Sequence, residues 1–142
     1  MTATSMDDNE LRELLEGVTT IAVVGASTNP AKASNAVPKF LIEAGYTVIP
    51  VHPAAEEVLG QTAYPTLTDI PVRVDVVDVF RPATEAPGLA DQAVAIGART
   101  LWLQLGITSP EAKQLAERAG LTYLEDICIG ETTRRLGVHP RT

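Results

Sequence analysis

Apolar residues along the chain fall into short unbroken runs separated by segments of helical period. Ile21-Ala22-Val23-Val24, within Thr20–Val24, runs without polar alternation, and Asp75–Phe80 (DVVDVF) and Arg99–Leu105 (RTLWLQL) read as further strong, mainly apolar strands. Such runs suit central parallel strands covered on both faces. Tyr46–Val51 and Leu121–Leu124 read as two more strands, and Thr62–Leu67 as a short extra one in which Pro65 forbids a central place. Between them the pattern predicts helices over Ala33–Ala44, Thr84–Ile96 and Ser109–Ala119, each stopped by glycine (Gly45, Gly97, Gly120). Pro38 falls inside the first of these and makes its opening turn irregular or its start uncertain. Ser109-Pro110-Glu111 is an N-cap, a proline at the first helical position and an acidic first turn.

The ends follow the same logic. Asp7 with Glu10 forms a capping box for a helix to Glu16, with Leu11, Leu14 and Leu15 on one stripe. This helix is expected on the sheet edge or outside the fold. The tail from Asp126 is expected to hold a helical turn around Glu131–Leu136. Strands alternating with helices of ten to fifteen residues imply βαβ units. The expectation is one α/β domain over residues 1–142: a Rossmann-like, doubly wound, mainly parallel five-stranded sheet with helices on both faces. Ligands of such sheets bind at the C-terminal ends of the strands, near the switch in strand order. That rule selects the loops Gly25–Ser34, His52-Pro53, Arg81-Pro82, Gln104–Ile107 and Asp126–Cys128.

Composition removes several function classes. A net charge of −7, with eleven scattered basic residues, argues against a nucleic-acid partner. The single cysteine, Cys128, excludes an internal disulfide, and no Cys/His spacing suggests zinc. The acidic N-terminus lacks a long apolar run, so neither a signal peptide nor a membrane span is expected and the cytoplasm is the default.

The stretch TIAVVGASTNPAKASN (Thr20–Asn35) passes from strand through a glycine turn into a helix, an arrangement that seats phosphates. Of the dinucleotide fingerprint G-x-G-x-x-G only Gly25 is in place, with Ser27 and Pro30 at the other two positions. The second strand ends His52-Pro53 where a ribose-binding acid is needed, so NAD is disfavoured. No Gly-Lys-Ser/Thr ending makes a P-loop, and Gly25-Ala26-Ser27 stands where a phospho-receiver needs paired acids.

Five motifs in order, VVGAS-x-NP (with Asn29), Tyr-x-Val-Ile-Pro-Val-x-Pro, Val-Asp-Val-Phe-Arg-Pro, Trp-x-Gln-x-Gly-Ile and Asp-x-Cys-Ile, resemble the stand-alone CoA-binding domain proteins. These are similar to the N-terminal domain of the succinyl-CoA synthetase alpha chain. The resemblance covers roughly Leu11–Leu136 and implies coenzyme A or an acyl-CoA as ligand. By position it puts the nucleotide on Gly25-Ala26-Ser27 and the helix start, with Lys32 and Ser34 near phosphates. It puts Pro53 beside the adenosine, Phe80, Arg81 and Pro82 along the pantetheine or diphosphate path, and Gln104, Leu105 and Gly106 on the opposite wall. Three positions depart from the family's usual residues: His52 for Asn, Ala33 for Pro, and Ile127 for the Arg before Cys128. Lys32 reads equally as a solvated helix-start charge, Arg81 as a surface ion pair, and Cys128 as a small buried side chain or a thiol near the CoA sulfur.

No nucleophile–base set or paired carboxylates gather at the strand ends, and only Asp126 and His52 offer acid–base chemistry. A ligase reaction would need further domains. The expectation is a non-catalytic carrier, sensor or regulatory module. An NAD(P)- or acyl-CoA-dependent enzyme completed by a second subunit is the alternative, and a structural subunit without ligand a third. A homodimer or another protein partner stays open.

Overall fold

A computed structural model describes residues 6–141; Met1–Ser5 and Thr142, counted with the domain above, lie outside that range. Five parallel strands, β1 (Thr20–Val24), β2 (Thr47–Val51), β5 (Val76–Val79), β6 (Thr100–Leu103) and β7 (Thr122–Leu124), form one sheet in the order β2-β1-β5-β6-β7. The sheet is α/β and Rossmann-like, as the apolar runs imply. Counting only its own strands the order is 2-1-3-4-5, so the direction of winding reverses between β1 and β5.

Both faces of the sheet are covered. On one face lie α1 (Asp8–Glu16), α2 (Ala33–Glu43) and α5 (Ile129–Leu136), whose Leu11, Leu15, Leu41, Ile129 and Leu136 pack on Ile21, Val23, Val76 and Trp102. The other face carries α3 (Ala86–Ala95) and α4 (Pro110–Arg118), which bury Leu89, Ala90, Ala93, Ala112 and Ala116 against Ala22, Val24, Val77 and Leu101. Successive strand residues point to opposite faces, so an uninterrupted apolar strand is required only where both are dry. Among the described residues no helix is long and apolar enough to cross a membrane.

Four expectations change. The capping box of α1 is present, Asp7 accepting from the Glu10 N–H at 2.8 Å and Glu10 from the Asp7 N–H at 3.1 Å. Yet α1 is not peripheral: Leu15 is fully buried, and the Tyr46 hydroxyl donates to its carbonyl. The Thr62–Leu67 strand does not form. Residues Glu57–Val58 (β3) and Gln61–Thr62 (β4) pair as a small antiparallel hairpin, Tyr64 bridges to Val51, and Leu67–Asp69 makes a 3-10 turn. Pro65 prevents a ladder there, and Thr66 and Asp69 cap the turn instead, the Thr66 hydroxyl donating to Asp69 at 2.9 Å. The Thr84–Ile96 helix starts later, because a 3-10 turn over Ala83–Glu85 precedes α3. The tail forms a full two-turn helix, α5, rather than a single turn.

Candidate functional site

A cleft of about 590 Å³ opens at the C-terminal edge of the sheet where the winding reverses. Its floor is Val24-Gly25-Ala26-Ser27 after β1 and Phe80-Arg81 after β5. One wall is Lys32 and Ser34 at the start of α2, and the other is Pro65-Thr66-Leu67 with Glu85, Leu89 and Gln92 beside α3. His52 and Pro53 close the end nearest β2.

The floor depends on Gly25, whose φ is +88°. A Cβ there would sit 2.9 Å from Arg81 Cδ and 3.3 Å from the Phe80 carbonyl oxygen. Arg81 therefore lies directly across the turn, in space that any larger residue would need. From Gly25 the chain is pinned onto α2. Pro38 has no N–H, so within the helix the Ser34 carbonyl lacks its i+4 donor. That carbonyl instead accepts the Ser27 N–H at 3.1 Å, while Asn35 Nδ2 donates to the Ser27 carbonyl at 2.8 Å. The proline that blurs the helix start in the sequence thus supplies the acceptor that shapes the turn. Ser27 Oγ in turn accepts the Asn29 N–H, and Asn29 Oδ1 accepts the Ala31 N–H, each at 3.0 Å.

Among the described residues the N–H groups of Ala26, Thr28, Ala33 and Ser34 have no acceptor in the chain. They lie on or beside the cleft lining, and helix N–H donors with the adjacent Lys32 ammonium favour an anion there. Replacing Pro38 with alanine returns a donor to Ser34. The expected result is a roughly fivefold faster hydrogen exchange at the Ser27 amide, as for a bond worth about 1 kcal/mol. An unchanged Ser27 protection would show that the proline does not hold the turn.

Charge in the cleft comes from Lys32, Arg81 and Glu85. Arg81 Nε lies 3.1 Å and 3.2 Å from the two Glu85 oxygens, and Nη2 lies 2.6 Å from Oε2. These hydrogen bonds hold the Glu85 carboxyl below the usual carboxylate range and keep Arg81 cationic. His52 uses Nδ1 to accept the N–H groups of Ala54 (3.0 Å) and Ala55 (2.8 Å). An asparagine side chain makes the same turn through its oxygen, which explains how histidine serves at this position. With Nδ1 an acceptor, the ring proton sits on Nε2.

The cleft thus brings together Gly25, Ala26, Ser27, Lys32, Ser34, His52, Pro53, Phe80 and Arg81. It does not include Asn29, Pro82, Gln104, Leu105, Gly106 or Cys128. Asn29 holds the loop by its own hydrogen bonds, and the Pro82 carbonyl accepts from the Glu85 N–H at 2.9 Å. Gln104 is buried, its Oε1 accepting the Ile129 N–H at 3.0 Å, which anchors α5 to β6. Leu105 is 70% exposed. Asp126, at φ 59°, accepts the Gly106 N–H at 2.7 Å and so ties two loops together instead of standing ready as an acid or base. Cys128 is half-buried and caps α5, its Sγ accepting the Glu131 N–H at 3.5 Å. Val24, Val51, Pro65, Thr66, Leu67, Glu85, Leu89 and Gln92 line the cleft without having been expected there. Two of them carried a sequence mark: Thr66-x-x-Asp69 as a cap, and Arg81/Glu85 at i,i+4 spacing.

Residues 19–133 match the family described as CoA binding domain. The chain belongs to that family. It is 38% identical over 120 residues to YneT of Bacillus subtilis, covering 84% of this chain and 89% of YneT. A solved Pyrococcus horikoshii structure superposes with a TM-score of 0.90 at 39% identity, covering 93% of each chain. The ADP-forming acetate–CoA ligase I of Archaeoglobus fulgidus is 28% identical over 120 residues, 78% of this chain but only 18% of the ligase. The similarity to that ligase is therefore to one region of a much longer protein.

Proposed function

We propose that the chain binds coenzyme A or an acyl-CoA at the Gly25 cleft, as a carrier, sensor or regulatory module without chemistry of its own. The observation that carries this reading is the Gly25 turn: a close-fitted floor flanked by open N–H groups, with Lys32 and Arg81 on either side. A diphosphate carries two negative charges and many acceptor oxygens, which that set of donors suits. His52 Nε2–H adds a donor where a dinucleotide fold places a carboxylate, and a carboxylate there would repel a 3′-phosphate. The absence of catalysis is supported by how the titratable groups are used. Within the cleft Glu85 is hydrogen-bonded to Arg81, and His52 Nδ1 accepts two backbone N–H groups, so neither is paired with a nucleophile.

The alternative, an acyl-CoA- or NAD(P)-dependent enzyme completed by a second subunit, draws on the match to one region of the acetate–CoA ligase. A thermal-shift panel of CoA, acetyl-CoA, NAD, NADP and ATP separates the readings. CoA and acetyl-CoA at 100 times Kd should stabilise the fold by about 2.7 kcal/mol. Replacing Lys32 with glutamine should weaken CoA by about three- to tenfold. A panel in which NAD or NADP alone raises Tm would overturn the CoA assignment.

A further inference from the structure

The cleft contains a carboxylate where its proposed ligand is strongly anionic. Glu85 lines the same cavity as Gly25 and Arg81, and it occupies Nε and one Nη2 hydrogen of the guanidinium. Two roles are possible for such a pair: Glu85 could orient Arg81 for the ligand, or compete with the ligand for it. The geometry distinguishes them. The Arg81 stem lies over the turn, its Cδ 2.9 Å and its Cγ 3.4 Å from the point where a Gly25 side chain would start, so the guanidinium already stands at the cleft floor where a phosphate would meet it. The Glu85 backbone is set by the 3-10 turn over Ala83–Glu85, in which its N–H bonds the Pro82 carbonyl at 2.9 Å, and its carboxylate has Arg81 as its hydrogen-bond partner. Both side chains are nearly half exposed, at 46% and 44%, so the pair is weak enough for an incoming anion to open.

We propose that Glu85 is an internal competitor for Arg81, which a phosphate of the ligand must displace or share to bind at the Gly25 turn. This rests on the CoA reading and deepens it. The unliganded cleft carries a net charge of +1 from Lys32, Arg81 and Glu85, not +2, and its affinity is held down accordingly. The protein keeps its ligand exchangeable, as a carrier or sensor requires.

The test is a double-mutant cycle read by calorimetric titration with CoA. Glu85→Gln should tighten binding about fivefold to tenfold and steepen its loss with added salt. Arg81→Gln should weaken binding about tenfold, and adding Glu85→Gln to it should restore less than the single change gains. Unchanged or weaker binding by the Glu85→Gln protein overturns the proposal while leaving the CoA reading intact. If the unaltered protein does not bind CoA, that reading fails, and the cycle is repeated with inorganic pyrophosphate. A gain for Glu85→Gln with pyrophosphate supports the competitor role, and none, or no pyrophosphate binding, overturns it.

Discussion

Gly25→Ala is expected to lower stability by about 1–3 kcal/mol and to abolish the CoA-induced thermal shift. Two separate effects act at this position. The first is backbone strain, since a φ of +88° is one that residues with a Cβ rarely adopt. The second is a collision, because the new Cβ would stand 2.9 Å from Arg81 Cδ and 3.3 Å from the Phe80 carbonyl. Gly120 separates them: its φ is +87°, and nothing lies within 4 Å of the site of its Cβ. Gly120→Ala therefore reports strain alone, and the excess cost of Gly25→Ala reports the contact with Arg81. Urea denaturation of both variants measures the two terms. The ligand effect follows from the second term, for Arg81 must shift off the turn to relieve the clash, taking its charge with it. A Gly25→Ala protein as stable as Gly120→Ala that still binds CoA would show the floor to be loose.

Most of this fold was legible because both faces of the sheet are dry. Ile21–Val24 and Leu101–Leu103 could be read as strands from unbroken apolar runs, and Val76–Val79 from a run interrupted only by Asp78, and the five-stranded parallel sheet followed. The segment between β2 and β5 was not legible, since its shape depends on tertiary contacts: a single bridge from Tyr64 to Val51 and the burial of Leu67. That is also why Pro65, Thr66 and Leu67 were missed in the cleft. Residues named by rule at the ends of β1, β2 and β5 meet in space, whereas Gln104, Leu105, Gly106 and Cys128 do not join them. Strand-end position places a residue on the right edge, but the cleft forms only where the helices diverge, between β1 and β5. Gln104 and Asp126 illustrate the rest: each is a polar residue in a ligand-edge loop, and each spends its hydrogen bonds on holding α5 or a neighbouring loop.

The two aspartates of DVVDVF show the same limit and lead to the second large effect. Asp75, at the start of the run, accepts the Thr19 and Thr20 N–H groups at 2.9 Å and 3.1 Å and faces Arg73 and Arg99. Asp78, three residues on, is fully buried in β5, in register with Val23 and Trp102, and neither carboxyl oxygen has a partner. Burial without compensation penalises the charged form and pushes this carboxyl well above its ordinary range. In the unfolded chain Asp78 titrates near pH 4, so above that pH the folded chain retains a proton that the unfolded chain has lost. Stability is therefore full below about pH 4 and falls with rising pH, by about 1.4 kcal/mol per unit, until the folded carboxyl ionises. Asp78→Asn removes the titration while keeping the shape. The difference in unfolding free energy between Asp78→Asn and the unaltered protein should grow at that rate as pH rises above about 4, and level off where the folded carboxyl ionises. Asp8 and Glu85, held low by Arg135 and Arg81, change stability in the opposite sense as pH falls, but they do so in both proteins and cancel. Asp78→Val, which also removes the unpartnered oxygens, should be more stable than the Asn variant by about 1–3 kcal/mol at every pH. Urea denaturation across this range reads both quantities. A pH-independent difference would mean that Asp78 is ionised in the fold and has a partner, and the sheet centre would then hold a charge pair rather than a neutral acid.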